Sequence, residues 1–221
     1  MLQSNRAAIR VIASEADLAE GLAHLVAREP RFEAIVQLLG PPALRRAPAG
    51  LPGLLRIVTE QMLSLKAADA IWRRIERELH PLDPPSIIRR RHATLMKLGL
   101  SGAKARTFKA LARAVADGHL PIDALDRHHD DEASVQLQAI PGIGSWTADI
   151  YLLSCLGRTD IWPAADLALQ AAAAHAFDLP TRPAPKVMEV LAEPWRPWRA
   201  VAARLLWAHY RAIKGIPQVV V

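Results

Sequence analysis

Short helices separated by proline and glycine are the strongest constraint that this sequence places on its fold. Apolar residues recur with helical period along nearly the whole chain, and no segment keeps the alternation of a half-buried strand. The 17 prolines and 11 glycines are concentrated between these segments, so each helix is short. We therefore predict an all-α protein. The predicted helices span residues 14–28, 31–39, 51–64, 67–79, 91–98, 101–117, 132–138, 145–156, 166–177, 185–192 and 197–213.

Two irregular stretches are the best candidates for domain boundaries, one at residues 41–52 and one at residues 157–165. They predict a central helical domain over residues 50–158. The two ends of the chain, 1–49 and 159–221, would together form a second helical domain. At 221 residues the chain is long enough to bury a core in each. Two helical lobes with a cleft between them are the simplest arrangement.

Charge and cysteine content narrow the classes of function. The 28 Lys and Arg against 22 Asp and Glu give a net charge of +6, which favours a polyanionic partner such as nucleic acid, although a solvated arginine-rich surface gives the same balance. The single cysteine, Cys155, excludes an internal disulfide and lies in an apolar run, where we expect a buried structural thiol. No apolar run is long enough to span a bilayer, and the N-terminus lacks the apolar core of a signal peptide, so we expect a soluble cytoplasmic protein.

The phrase LQAIPGIGSWTAD, residues 137–149, predicts a helix, a tight turn and a second helix. Gly142 and Gly144 can adopt positive φ, and neither has a side chain that would cover the backbone amides at the start of the second helix. Those amides, with a hydroxyl from Ser145 or Thr147, can bind an anion such as a DNA phosphate without reading base sequence. On these residues alone, a glycine-rich helix connection without a ligand is equally well supported.

The whole phrase resembles the helix–hairpin–helix of the DNA glycosylases that carry a downstream Gly-Pro-Asp region. Those enzymes place a catalytic aspartate on the following segment, in a D-x-x-aliphatic-polar pattern. In IWPAADLALQAA, residues 161–172, the resemblance assigns that role to Asp166. Asp149 and Asp160 are rivals by proximity alone. We expect Asp149 to make a polar contact within a helix, and Asp160 to be a cap or a solvated linker residue.

Three further stretches are similar to one branch of that superfamily, DNA-3-methyladenine glycosylase II, in a compact form without the N-terminal β domain. WRPWRAVAARLLW, residues 195–207, resembles the C-terminal signature of the branch. IVTEQMLSLKAA, residues 57–68, resembles its DNA-probing turn, with Glu60 in place of the first of two glutamines. LGLSGAKARTFKALA, residues 98–112, resembles a third family stretch, whose cations such as Lys104 would attract DNA. The resemblance implies the helix–hairpin–helix glycosylase fold, with a DNA-binding cleft between its two lobes.

The resemblance further implies a monofunctional glycosylase of base excision repair, which flips alkylated bases of the 3-methyladenine type out of double-stranded DNA and excises them. Relatives that also cut the strand have a lysine where this chain has Trp146, and an indole has no amine to attack the sugar. The base pocket would comprise Trp146, Trp207 and Ile150, although a tryptophan at helical spacing is commonly a core residue. Met62 would be the inserted wedge, unless it is a core methionine, with Gln61 beside it at the lesion.

The resemblance implies no cofactor and no catalytic metal. It does imply a structural monovalent cation, held by the backbone carbonyls of Gln138, Ile140 and Ile143. We expect a monomer. Two alternatives stay open: a glycosylase of the same superfamily for mismatched or deaminated bases, and a non-enzymatic DNA-binding clamp built on the hairpin.

Overall fold

The computed structural model describes residues 9–216, which are mostly helical and contain no β-strand. An isolated antiparallel bridge joins Val11 to Arg158. The all-α prediction is confirmed. The α-helices, numbered in chain order, are α1 Glu15–Arg28, α2 Arg31–Leu39, α3 Gly50–Glu60, α4 Leu65–Glu78, α5 Pro84–Arg89, α6 His92–Lys97, α7 Gly102–Ala116, α8 Asp130–Gln138, α9 Ser145–Ile150, α10 Leu167–Ala176, α11 Pro185–Ala192 and α12 Arg199–Ile213.

The chain divides into two compact units. Of the described residues, 46–156 form the central unit, whereas 9–45 and 157–216 form the terminal unit. The boundaries lie a few residues before those drawn on the sequence. Among the described helices, none is both long and apolar enough to cross a membrane.

The core of the central unit forms where α3 packs against α7. Apolar residues repeat along α3 at intervals of three and four, so one face is continuously apolar, and Leu54 and Val58 on that face are fully buried. Phe108 and Leu111 of α7 are equally buried. The start of α7 is fixed by Ser101, whose hydroxyl accepts a hydrogen bond from the Lys104 amide.

Aromatic side chains form the core of the terminal unit. Phe32 lies edge-on to Trp195 and Phe177, with ring centroids 5.0 and 5.7 Å apart, and Trp162 packs edge-on to Trp195 at 5.3 Å. Edge-to-face pairs add roughly 0.5–1.5 kcal/mol each beyond the burial of their area. Around this cluster, α12 packs on α1, α2 and α10.

The structure differs from the predicted helices at several places. The short helix α5 and a 3-10 helix at Ile122–Arg127 were not predicted. The segment predicted as one helix over 145–156 is α9 followed by a single π-helical turn, Tyr151–Cys155. The predicted helix 51–64 ends at Glu60, because the chain turns sharply at Met62, which has a φ of 55°.

Cys155 lies buried at the end of the π-helical turn, and the expectation of a structural thiol is confirmed. Burial raises the pKa of this thiol to about 12. The group is therefore protonated at neutral pH and a poor nucleophile.

Candidate active site

Asp166 is the N-cap of α10, and its Oδ1 atom accepts hydrogen bonds from two uncharged donors. Oδ1 accepts a hydrogen bond from the backbone amide of Leu169 at 2.8 Å, which is the usual capping contact. The same oxygen accepts a hydrogen bond from the Trp207 indole Nε1, on α12, at 3.1 Å. Asp166 and Trp207 are both half-buried. The terminal unit thus orients one partly accessible carboxylate and places an aromatic ring beside it.

The two rival aspartates have different surroundings. The Asp160 carboxylate is paired with two arginines: Arg199 Nε lies 2.7 Å from Oδ1, and Arg196 contacts Oδ2. A carboxylate neutralised by two guanidinium groups is poorly suited to stabilise a further cation. Asp149 lies within α9 and is half-buried, as expected for a polar contact of a helix.

The tight turn of the hairpin spans residues 140–143. The Ile143 amide donates a hydrogen bond to the Ile140 carbonyl at 3.0 Å. Pro141 is the second residue of the turn and Gly142, with a φ of 91°, is the third. Proline second and a positive-φ glycine third are the features of a type II turn. A Cβ on Gly142 would also lie 1.9 Å from Thr107 Oγ1, so both backbone conformation and packing require glycine here.

Gly144 has a different role from Gly142. It is the N-cap of α9, with an extended φ of −99°, so the positive φ anticipated for it is not observed. A Cβ built on Gly144 would meet no atom within 4 Å. No steric demand inside the protein therefore explains this glycine. It leaves open space in front of the first backbone amides of α9, which have no partner within the helix.

Trp146 and Ile150 lie four residues apart on α9 and so share one side of that helix. Both are half-buried, as is Trp207 on α12. Neither tryptophan has the full burial that a purely structural core role would give it.

Within the stretch predicted from the resemblance to probe DNA, a turn at residues 61–64 (the DNA-probing turn) connects α3 to α4. Met62 is 92 % exposed, which excludes a core role for this side chain. The Gln61 amide Nε2 instead donates hydrogen bonds to the Gly142 carbonyl at 3.1 Å and to Thr147 Oγ1 at 2.8 Å. Thr147 is only 2 % exposed, so its hydroxyl faces the protein interior. The Thr147 hydroxyl is therefore not available to an anion outside the protein, and of the groups predicted at this residue only the backbone amide stays a candidate.

The sequence predicts Lys104 as a cation that attracts DNA, but in the structure its ammonium is hydrogen-bonded to backbone carbonyls of the protein. Its Nζ donates hydrogen bonds to the Thr59 carbonyl at 2.8 Å and to the Gln61 carbonyl at 2.6 Å. These contacts join residues more than forty positions apart, and no local pattern in the sequence could have revealed them.

The carbonyls predicted to hold a cation lie along the connection from the end of α8 to the start of α9. Gln138 is the last residue of that helix, and the Ile140 carbonyl already accepts the turn hydrogen bond from Ile143. Among residues 9–216, no three His, Cys, Asp or Glu side chains are grouped as they would be around a metal ion.

Two helices joined by a PGIG turn, and an aspartate that caps α10, are the arrangement that the resemblance to the helix–hairpin–helix DNA-repair proteins implies. The chain belongs to the HhH-GPD superfamily of base excision DNA repair proteins, whose family model matches residues 55–197.

Individual relatives agree with this membership. The chain is 28 % identical to the alkylbase DNA glycosidase-like protein mag2 of Schizosaccharomyces pombe, over 89 % of this chain and 95 % of that protein. It is 33 % identical to the probable bifunctional transcriptional activator/DNA repair enzyme AlkA of Mycobacterium tuberculosis, over 79 % of this chain but only 39 % of that protein.

Solved structures show the same fold. The 3-methyladenine DNA glycosylase of Schizosaccharomyces pombe, in complex with abasic DNA, matches with a TM-score of 0.81 and 28 % identity, over 85 % of this chain and 95 % of that one. The DNA-3-methyladenine glycosidase of Bacillus halodurans matches with a TM-score of 0.77 and 25 % identity, over 94 % of each chain.

Proposed function

We propose that this chain is a DNA glycosylase of base excision repair that flips out and excises alkylated bases of the 3-methyladenine type. The observation that carries the proposal is the half-buried Asp166 carboxylate, oriented by the α10 backbone and by Trp207, in a member of a base excision family. The names of the similar proteins, several of which are 3-methyladenine glycosylases, support alkylated bases as the substrate class.

The first task of such an enzyme is to open the duplex. A base inside the stack is inaccessible, and swinging it out costs a few kcal/mol in lost stacking and pairing. The central unit offers two groups that offset this cost. The first backbone amides of α9, which follow Gly144, bind a phosphate, and the exposed Met62 side chain fills the gap in the stack. Neither contact reads base sequence.

The second task is to recognise damage. Bases alkylated at ring nitrogens carry positive charge, and an indole face attracts a cation by roughly 0.5–2 kcal/mol. Trp146, which is half-buried at the start of α9, is proposed to stack on the flipped base. A neutral, undamaged base gains less from this contact, so the ring favours damaged bases.

The third task is to break the glycosidic bond. As the bond breaks, its electron pair leaves with the base, which departs neutral because it began as a cation. The sugar becomes oxocarbenium-like, and Asp166 is proposed to stabilise that charge. The carboxylate also orients a water, which adds to C1′ and gives up a proton as the abasic sugar forms. Since the leaving base needs no added proton, a general acid is not required.

We further propose that the reaction stops at base removal. Strand cleavage in this superfamily needs an amine that attacks C1′, and the position of that amine is occupied by Trp146. The nearby ammonium of Lys104 is hydrogen-bonded to the Thr59 and Gln61 carbonyls within the central unit. The product is therefore an abasic site in an intact strand.

The carbonyls of Gln138, Ile140 and Ile143 are proposed to hold a structural monovalent cation. The donor set fits, because carbonyl oxygens suit hard cations and the C-terminal end of α8 carries partial negative charge. The cation would brace the hairpin and take no part in the chemistry. We expect the enzyme to act as a monomer on double-stranded DNA.

The test is release of free base from duplexes that each contain one lesion. We expect release of 3-methyladenine, with an abasic site left at the same position. Preferential release of uracil, hypoxanthine or a mismatched base would instead favour the glycosylase for deaminated or mismatched bases. Binding to every duplex without release would favour the non-enzymatic clamp.

A further inference from the structure

The DNA-probing turn holds Met62 in a conformation that a methionine rarely adopts. Its φ of 55° lies in the left-handed region, and its side chain is 92 % exposed. Within the turn, the Leu63 amide donates a backbone hydrogen bond to the Glu60 carbonyl, at 3.1 Å. An exposed apolar side chain on a strained backbone needs other contacts to hold it in place.

Lys104 supplies one of these contacts, on the main chain. The last carbonyls of α3 have no amide partner within the helix, and they carry the negative end of its dipole. The Lys104 ammonium, projecting from the first turn of α7, donates to two carbonyls at this end, those of Thr59 and Gln61. Lys104 is half-buried, and burial lowers its pKa. It therefore fixes the backbone on the N-terminal side of Met62.

Gln61 supplies the second contact, through its side chain. Its Nε2 donates to the Gly142 carbonyl in the hairpin turn and to the buried Thr147 hydroxyl in α9. Gln61, the residue before Met62, is thus held at two points. Its backbone carbonyl accepts a hydrogen bond from Lys104, and its side-chain amide donates hydrogen bonds to the hairpin turn and to α9. The wedge and the phosphate-binding hairpin are thereby joined by direct hydrogen bonds.

We propose that Lys104 and Gln61 are positioning residues, which hold Met62 ready for insertion at a fixed place relative to the hairpin that grips the DNA backbone. Neither side chain has to contact the damaged base. The proposal rests on the proposed function, since it concerns how that enzyme opens a duplex. It gives Gln61 a different role from the lesion contact that the sequence suggests.

The first experiment measures excision by Lys104→Met, which keeps the length of the side chain and removes its donors. We expect single-turnover excision from a duplex to slow roughly tenfold, because small displacements of a positioned group cost that much or more. Excision from single-stranded DNA, which has no stacked gap to fill, should not change. Lys97→Met is the matched control, since it removes the same charge from an exposed site of the central unit.

The second experiment tests whether Lys104 acts through Met62. Adding Lys104→Met to Met62→Ala should slow duplex excision no further than Met62→Ala alone, because the two changes remove one function. Gln61→Met should behave in the same way, with Gln37→Met as its control. Additive losses would overturn the proposal, as would a parallel fall on single-stranded DNA or duplex rates equal to those of the controls.

Chemical rescue covers the case in which Lys104→Met folds poorly. Lys104→Cys, treated with 2-bromoethylamine, regains an ammonium of nearly the original length, and duplex excision should return with it. The native Cys155 is buried and protonated, so it does not compete for the reagent. Alkylation without recovery of excision would overturn the assignment of Lys104.

One further measurement separates this inference from the proposed function. A 2-aminopurine placed opposite a synthetic abasic site reports wedge insertion by its fluorescence, without any catalysis. The wild-type protein should raise the signal, and Lys104→Met should raise it less at saturating protein. If the wild-type protein inserts Met62 but releases no base, the proposed function fails and the inference stands. Equal signals from both proteins would overturn the inference alone.

Discussion

Asp166 combines two roles in one side chain. As the N-cap of α10 it contributes to folding, and as the carboxylate beside Trp207 it is the proposed catalytic group. The two roles can be separated experimentally, because asparagine caps a helix as well as aspartate does but carries no charge. Asp166→Ala would remove both roles at once, because loss of the cap alone lowers the stability of the fold by about 1 kcal/mol.

We predict that Asp166→Asn slows excision by roughly 100-fold to 1,000-fold, the range found when one preorganised electrostatic contact to a transition state is removed. Its melting temperature and its affinity for undamaged DNA should match those of the wild-type protein. Single-turnover base release and thermal unfolding are the two measurements. Retention of most of the activity would exclude Asp166 and direct attention to Asp149.

Trp207→Phe removes the hydrogen bond from the indole to Asp166 and keeps an aromatic ring. A hydrogen bond to a charged group is worth about 1.5–3 kcal/mol, so we predict a loss of roughly 10-fold to 100-fold in the excision rate. In an Asp166→Asn background the same change should have little further effect, because its target charge is already absent. Full additivity would show that Trp207 acts independently of Asp166.

The hairpin shows, at the level of structural elements, that two neighbouring glycines serve different purposes. Gly142 has a positive φ and packs against Thr107, whereas Gly144 has an ordinary φ and faces open space. The first glycine is explained by the turn, whereas no contact inside the protein requires the second. That contrast is the structural basis for the proposed phosphate contact.

We predict that Gly142→Ala destabilises the fold by about 1–3 kcal/mol, from backbone strain together with overlap on Thr107. Gly144→Ala should leave the melting temperature unchanged. Gly144→Asp should weaken binding to damaged and undamaged duplexes equally, because a phosphate contact carries no base information. Fluorescence anisotropy with both duplexes checks this. Selective loss for the damaged duplex would contradict the phosphate assignment.

At the scale of the whole molecule, the pattern of apolar residues predicts the all-α class and most of the helices. The pattern predicts the wrong structure where an apolar residue is exposed instead of packed in the core. Met62 and Leu63 continue the apolar period of α3, so the pattern extends that helix to residue 64, yet the chain turns and exposes Met62. Helix α5 was missed because it begins with Pro84 and Pro85, which were interpreted as part of a proline-rich connection between helices.

The sequence predicts the parts of the candidate site that lie in local motifs, but not the contacts between distant residues. Asp166 and the hairpin follow from local motifs and the resemblance they carry. The bond from Trp207 to Asp166 and the bonds made by Lys104 join residues about forty positions apart. Such contacts depend on how the helices pack, and no spacing rule in the chain encodes them.

The assignment as a monofunctional enzyme makes a prediction about the DNA product. Incubation with alkylated duplex should leave the strand intact until alkali is added, and borohydride should trap no covalent adduct, since no Schiff base forms. Denaturing electrophoresis measures both. An adduct that disappears in Lys104→Ala would show that this lysine reaches the sugar, and the assignment would be wrong.

The most direct measurement of the central claim is the yield of free base and of abasic sites, taken together, from a duplex with a single 3-methyladenine. With enzyme in excess, the account predicts that the wild-type protein releases the methylated base and forms abasic sites in equal amounts. Asp166→Asn should bind the same duplex and release almost none. A wild-type protein that binds this duplex without releasing base, or an Asp166→Asn protein that releases it at the wild-type rate, would contradict the account.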